Sequence, residues 1–194
     1  MKKYDIYQQI LNVAEILIQS NGYNAFSYKD IAKLVDVKTS SIHYHFPTKA
    51  DLGKAVVKKH IDYLSSELEK CFALKDLSSK NKLEFFIDSI ITNTYLAERR
   101  MCLGGMLASD VLTLPEIIQS EVQQFFLRLE ELIKQLLKEA VLKKEFFLER
   151  ENIEDEALFI FSLIEGALLL ARLFQDEKHL MVARREIMNR LVKD

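Results

Sequence analysis

The segment from Phe26 to Leu52 constrains the fold more than any other part of the chain, because it carries the signals of several helix ends in close succession. Ser27 and Asp30 have the spacing of a capping box, in which each side chain bonds the backbone N–H of the other residue. A helix is therefore predicted to begin at Tyr28. Its apolar residues recur at three- and four-residue steps, as expected for one buried stripe: Ile31, Leu34 and Val35.

A turn and two further helix ends are predicted after that helix. Ile42 and Phe46 are four residues apart, so they lie on the same buried side of a second short helix. Pro47 ends this helix at residue 45 or 46, and Thr48 can cap a third helix that begins at Lys49. Three helix ends within about thirty residues are typical of a helix-turn-helix unit, whose second helix enters the major groove of DNA.

The charge distribution fits a nucleic-acid partner, although the net charge of the whole chain is -2. Residues 1 to 60 contain nine lysines and five acidic residues, a net charge of +4, and the remainder carries a net charge of -6. Neutralisation of phosphates by basic residues supplies much of the affinity of DNA-binding proteins. The positive part of the chain is therefore the part with the helix-turn-helix signals.

Residues 10 to 56 resemble the DNA-binding domain of the TetR family of transcriptional regulators. The matching residues span the unit from its opening helix onwards: Ile10, Ala14 and Leu17; Asn21-Gly22-Tyr23; Phe26-Ser27; Asp30-Ile31-Ala32; and the string from Ile42 to Leu52. Family members often carry glycine at the positions of Asp36 and Ser40, and tyrosine at that of His43. Asp36 tolerates a left-handed turn, so the turn is expected to form, whereas Ser40 and His43 change the surface that contacts DNA.

The outward side of the second short helix consists almost entirely of hydrogen-bonding residues, which we expect to contact DNA. The predicted base contacts are Thr39, Ser40, His43 and Tyr44, the predicted phosphate contacts are Ser41, His45 and Lys49, and Ser27 and Lys38 complete the DNA-binding set. Lys49 adds a cation to a helix start whose N–H groups already favour an anion. The alternative is that these side chains form an ordinary solvated surface.

A metal site at His43 and His45 is not expected. Residues two apart on a helix point to different faces, whereas helical ligand pairs usually lie three or four apart. No acidic or thiol partner occurs at ligand spacing. We therefore predict neither a metal nor a cofactor.

The fold class predicted for the whole chain is all-α, since glycine and proline are few and no hairpin signal is present. The predicted helices cover about residues 4–20, 28–35, 39–45, 49–74, 80–99, 103–111, 116–147, 153–174 and 179–192. The expected domains are a helix-turn-helix domain at 1–48 and a helical effector-binding and dimerisation domain at 49–194. One continuous helix from Lys49 is predicted to join them.

The run from Ala157 to Phe174 is apolar on nearly all sides, more than one chain easily covers. With the amphipathic segment after it, this run is predicted to pair with its two-fold copy in a four-helix bundle, as the resemblance also implies. The tentative interface residues are Phe161, Leu168, Leu169 and Arg172. The alternative is that this helix is simply the core of a monomer. Its most apolar part, residues 157–171, is interrupted by Ser162 and Glu165 and is shorter than the roughly 18 residues of a membrane span, so no membrane partner is expected.

Aromatic and methionine residues gather around Gly104-Gly105, where they could line a pocket for an apolar ligand. The tentative pocket residues are Phe86, Tyr95, Cys102, Met106 and Phe125. The same residues could equally be core. The resemblance favours a pocket, because related regulators usually hold an effector in the distal domain.

Cys102 is a candidate sensor of electrophiles or oxidants. It follows Glu98-Arg99-Arg100, whose cations could favour the thiolate, and some relatives with a similar segment respond to such reagents. The alternative is a small buried hydrophobic residue. Cys71 and Cys102 are far apart in sequence and are expected to be free thiols.

Together these observations predict a cytoplasmic, homodimeric transcriptional repressor that binds a palindromic double-stranded DNA operator and responds to a small-molecule effector or an electrophile. No signal peptide is visible at the start of the sequence. A small helical enzyme is a rival, although no phosphate-binding loop, nucleophile elbow or metalloprotease motif is present. A helical protein-interaction adaptor without DNA binding is a second rival, but it leaves the basic N-terminal unit without a role.

Overall fold

The computed structural model describes residues 6–192 and confirms the all-α fold, with no strand in that range. Its α-helices are α1 (Ile6–Asn21), α2 (Tyr28–Val35), α3 (Thr39–His45), α4 (Lys49–Phe72), α5 (Ser79–Asn93), α6 (Leu103–Ser109), α7 (Glu116–Leu142), α8 (Ile153–Phe174) and α9 (Lys178–Leu191). Short 3-10 turns occur at Tyr23–Ala25, Val111–Thr113 and Arg150–Asn152. The predicted start of the first helix at residue 4 lies outside the described residues.

Two predicted helices end five or six residues earlier than expected. The fifth helix ends at Asn93 rather than at residue 99, and Glu98 and Arg99 then have φ values of 66° and 58°. The seventh ends at Leu142 rather than at 147, and Lys144 has a φ of 59°. Left-handed backbone of this kind cannot continue an α-helix, although the residue types there are good helix formers.

The chain divides into two compact units, of which the first is Met1–Asp62 with Leu103–Phe125 and the second is Tyr63–Cys102 with Phe126–Asp194. This differs from the expected division at residues 48 and 49, because α6 and the start of α7 belong with the first unit. The continuous helix predicted from Lys49 is confirmed, since α4 runs without a break to Phe72. Both α4 and α7 contribute residues to each unit.

Contacts between distant parts of the sequence explain the composition of the first unit. The Asn24 amide donates to the Thr113 hydroxyl at 2.9 Å. Gly53 of α4 lies so close to α7 that a Cβ there would be 2.5 Å from the Ile118 side chain. Gly22 ends α1 with a φ of 92°, as its position after Asn21 predicts.

In the second unit, α8 packs along α9, and an ion pair joins them. The Arg190 guanidinium donates to both carboxylate oxygens of Glu156, at 3.0 and 2.8 Å. Glu156 is buried, so its charge needs this partner. The core of α8 includes Ile160 and Ile164.

The α8 region has more apolar surface than the rest of the chain covers. By length and composition alone, residues 150–174 form a helix that could cross a membrane, with a mean hydropathy of 2.0 over its most apolar window. Core helices of soluble proteins pass the same test. This helix is longer than the run at residues 157–171 considered in the sequence, and 33% of its most apolar 18-residue window is buried.

Lys82 is a buried cation that ties three helices of the second unit together. Its side chain is 1% exposed, and its ammonium donates to the carbonyl of Phe72 at 2.7 Å and to Glu139 at 3.0 Å. Glu139 also accepts from Lys143, and these hydrogen bonds, led by that of Lys143, hold the pKa of Glu139 below its usual range against the opposing effect of burial. The end of α4, the start of α5 and the end of α7 are thereby joined.

We predict that Lys82→Met lowers the free energy of unfolding by about 1 to 3 kcal/mol, because the Phe72 carbonyl loses its donor in a buried place. Methionine preserves the packing of the aliphatic stem. Lys143→Met is the matched control: it removes a second ammonium from the same carboxylate, but at the surface. Chemical denaturation of both variants measures the difference, and equal losses would contradict the assignment.

Candidate nucleic-acid interface

The capping box at the start of α2 is present, as the sequence predicts. The Ser27 backbone N–H donates to an Asp30 carboxylate oxygen at 2.7 Å, and the Ser27 hydroxyl donates to the same oxygen at 2.8 Å. These bonds lower the pKa of Asp30. The Ser27 hydroxyl is therefore occupied by α2 itself, although Ser27 was predicted to contact DNA.

The turn between α2 and α3 also forms as expected. Asp36 has a φ of 58° and a ψ of 51°, a left-handed conformation that closes α2. The backbone N–H of Val37 then donates to the carbonyl of Ala32 at 3.0 Å. Lys38 is exposed and extended, and α3 begins at Thr39.

The inner side of α3 is anchored by apolar and aromatic packing. Ile42 is fully buried and Phe46 is 3% exposed. Tyr7 of α1 stacks on the Phe46 ring with centroids 5.0 Å apart. This packing fixes which side of α3 faces outward.

A second capping box starts α4. The Thr48 backbone N–H donates to the Asp51 carboxylate at 3.0 Å, and the Asp51 backbone N–H donates to the Thr48 hydroxyl at 3.1 Å. The prediction that Thr48 caps this helix is confirmed. The loop that contains Pro47 is thus held at both ends.

The outer side of α3 presents the predicted base-contacting residues to solvent. Tyr44 is 82% exposed, Ser40 and His43 are exposed, and Thr39 and Ser41 are partly exposed. His45 is less accessible, because its ring packs edge-on to Tyr44 with centroids 5.1 Å apart. Together with Lys38, these residues form what we call the α3 surface, which comprises residues 38–41 and 43–45.

Lys49 is placed differently from an ordinary surface lysine. Its ammonium donates to the carbonyl of Phe26 and lies over the rings of Tyr23 and Phe26, 4.7 and 4.2 Å from their centroids. Burial lowers the pKa of Lys49. The side chain would have to leave these contacts to bind the phosphate predicted from the sequence.

Tyr28 is a residue of this region that the sequence reasoning missed. Its hydroxyl donates to the carbonyl of Phe46 at 2.9 Å, and its ring lies edge-on to His43 with centroids 4.7 Å apart. Burial raises the pKa of Tyr28 to about 12. The sequence feature that could have indicated this packing is an aromatic residue at the first position of α2, where a solvated helix start usually carries a polar residue.

The tentative dimer residues on α8 divide into two groups. Phe161 and Leu168 are 9% and 1% exposed, and Phe161 packs on Phe86 and Phe126 within the second unit. Their assignment to an interface is therefore corrected: they are core. Leu169 is 58% exposed and Arg172 is partly exposed, so both are accessible.

The five tentative pocket residues do not belong to one unit. Phe86, Tyr95 and Cys102 are buried in the second unit. Met106 lies close to Gly22, and Phe125 stacks on His60, both in the first unit. Gly104 and Gly105 lie inside α6, within the helix predicted at 103–111. A pocket formed by these residues stays a prediction.

Cys102 lies beside a carboxyl group of α8. It is 6% exposed and shares a side-chain hydrogen bond with Glu165, whose pKa is raised by burial and lowered in part by this bond. The cations expected to act on the thiol bind other side chains: Arg99 donates to Gln175 at 2.8 Å and Arg100 to Glu98 at 3.0 Å. Among residues 6–192, no group of histidine, cysteine and acidic residues is suited to hold a metal ion.

Two family models match the chain. Residues 10–56 match the model described as "Bacterial regulatory proteins, tetR family". Residues 81–186 match the model described as "Transcriptional regulator LmrA/YxaF-like, C-terminal domain". The first match covers the same residues as the resemblance found in the sequence.

Individual relatives agree with these models. A TetR transcriptional regulator from Legionella pneumophila is 44% identical, with a TM-score of 0.92 over 98% of this chain and 100% of that one. The nucleoid occlusion factor SlmA of Vibrio cholerae is 26% identical over 86% of this chain and 84% of its own length. The Staphylococcus aureus negative regulator of the biofilm operon icaADBC, IcaR, is 30% identical over 42% of this chain and 40% of its own length.

The structural likeness over the whole chain and the two family models lead to the same conclusion. The protein belongs to the TetR family of DNA-binding transcriptional regulators, which are not enzymes.

Proposed function

We propose that this regulator is a cytoplasmic repressor that binds a palindromic operator as a homodimer through the α3 surface. The observation that carries the proposal is the polar, exposed outer face of α3. Its inner side is buried through Ile42 and Phe46, and the helices before and after it, α2 and α4, both begin with capping boxes. Repression is favoured by the likeness of 42% of the chain to IcaR, which is itself a negative regulator. In a two-fold dimer the two α3 helices would have to lie about 34 to 36 Å apart to enter successive major grooves.

Tyr44→Ala tests the contact with DNA. Because Tyr44 is 82% exposed, its loss should leave the unfolding temperature unchanged, while operator affinity falls by about tenfold, the scale of one lost base contact. Tyr63→Ala is the matched control, an exposed tyrosine on α4 beyond the first unit. Fluorescence anisotropy with the DNA next to the protein's own gene measures both variants over a range of salt concentrations.

The wild-type affinity should fall steeply as salt rises, since phosphate contacts release counterions. Equal effects of the two tyrosine variants would contradict a role for the α3 surface. A salt-independent affinity would contradict DNA binding itself.

The homodimer is supported by the uncovered apolar face of α8 and α9. Leu169, Leu173, Phe174 and Met181 are all more than half exposed. Gly166, on the same helix, has open space where a Cβ would lie, so a second helix could approach closely. A four-helix contact between two copies would remove this apolar surface from water.

We predict that the double variant Leu169→Glu, Leu173→Glu weakens the dimer by about 100-fold or more, because an interface would bury unpaired carboxylates. Leu112→Glu is the control, at a leucine that is 96% exposed in the first unit. Light scattering over a dilution series measures the mass. A wild-type monomer at micromolar concentration would reject the dimer.

Thiol modification at Cys102 is the effector response that the structure supports best. The thiol can add to a small electrophilic double bond while its proton passes to Glu165 and then to the adduct. Burial raises the pKa of Glu165, which makes this carboxylate a better proton acceptor than an exposed one. Because α4 and α7 run from the second unit into the first, a repacking around Cys102 could be transmitted along them to α3.

We predict that a small quinone lowers the operator affinity of the wild type by about 5- to 150-fold, the usual range of allosteric coupling. Cys102→Ser should abolish the response, and Glu165→Gln should slow the modification without changing basal DNA binding. Cys71→Ser is the control, since burial raises the pKa of the Cys71 thiol. Mass spectrometry identifies the modified residue, and an unchanged response in Cys102→Ser would overturn the sensor.

A further inference from the structure

His43 lies on the α3 surface with its ring held from two sides. The Tyr28 ring meets it edge-on at 4.7 Å, and Tyr28 is itself anchored by its hydroxyl on the Phe46 carbonyl. On the other side, Nδ1 of His43 is 3.3 Å from the carbonyl oxygen of Pro47. The ring therefore has a defined orientation although the residue is exposed.

The Pro47 carbonyl also defines where the imidazole proton resides. A carbonyl oxygen can only accept a hydrogen bond, so Nδ1 of His43 must carry the hydrogen in this contact. A neutral imidazole has a single N–H, which leaves Nε2 as an acceptor. The backbone after α3 thus selects one tautomer of a side chain on the α3 surface.

We propose that neutral His43 determines operator specificity by accepting, through Nε2, a hydrogen bond from the amino group of cytosine or adenine. In the major groove cytosine offers N4–H and adenine offers N6–H, whereas guanine and thymine present acceptors. The Nε2 lone pair of neutral His43 would be repelled by the acceptor atoms of guanine and thymine. This inference rests on the proposal that the α3 surface contacts DNA.

Protonation should invert the preference, because imidazolium donates from both nitrogens and matches guanine instead. Tyr28 of α2 is the titratable side chain with a recorded contact to this ring in the described structure. Its pKa of about 12 keeps it neutral under the conditions of the test. From α1, Tyr7 packs on His45 and Phe46.

The experiment is selection of bound sequences from a duplex pool with randomised half-sites, using the full chain at about pH 8 and about pH 5.5, on either side of the histidine range. The position contacted by residue 43 is the one whose preference is lost in His43→Ala. At the higher pH we expect a pair with cytosine or adenine on one strand, favoured by about tenfold over pairs with guanine or thymine on that strand. At the lower pH we expect guanine on the same strand.

Three variants test whether the pH dependence of the base preference arises from protonation of His43. His43→Gln, which does not titrate, should remove the pH dependence at that position, and His43→Lys, a permanent donor, should prefer guanine at both pH values. His45→Gln should retain the wild-type inversion. Thermal unfolding of each variant verifies that the unit remains folded.

The same base pair at both pH values, or an exchange of base pairs that persists in His43→Gln, would overturn the inference. A selected palindrome that does not depend on residue 43 would also overturn it, while leaving the α3 surface as the DNA contact through other residues. A pool without any selected sequence would reject the proposed operator binding as well.

Discussion

The α3 surface, the proposed DNA contact, depends on the burial of one side of a helix that is too short to be stable alone. α3 has seven residues, and isolated helices below about 12 residues are marginal in water. Its stability must come from Ile42 and Phe46, which are buried beneath it. Because these contacts hold the helix, the side chains of the α3 surface are not needed for its stability and are available for the proposed contacts with DNA.

The features that could be predicted from the sequence are those encoded by residues close together in it. Both capping boxes use partners three residues apart, Ser27 with Asp30 and Thr48 with Asp51. The left-handed turn at Asp36 and the glycine after α1 are equally local. For this reason the bounds of α2, α3 and the start of α4 agree with the sequence predictions.

The features that could not be predicted depend on partners far apart in the sequence. The hydrogen bond of Cys102 to Glu165 spans more than sixty residues, and no spacing rule relates the two. The contacts that place α6 and the start of α7 in the first unit, such as that of Asn24 with Thr113, are of the same kind. Likewise, the apolar pattern of α8 does not show which of its leucines face the core, because nearly every side of that helix is apolar.

Lys49 lies at the predicted helix start, but its side chain binds other residues of the protein at the point where the sequence predicts a phosphate contact. Its position in the first turn of a helix suits a phosphate, yet its ammonium already has a carbonyl oxygen and two aromatic rings. Each such ring contact contributes about 0.5 to 1 kcal/mol at a partly exposed site, so exchanging all of them for one phosphate gains little. We therefore expect the electrostatic attraction to DNA to come mainly from the exposed lysines of α2 and of the turn before α3: Lys29, Lys33 and Lys38.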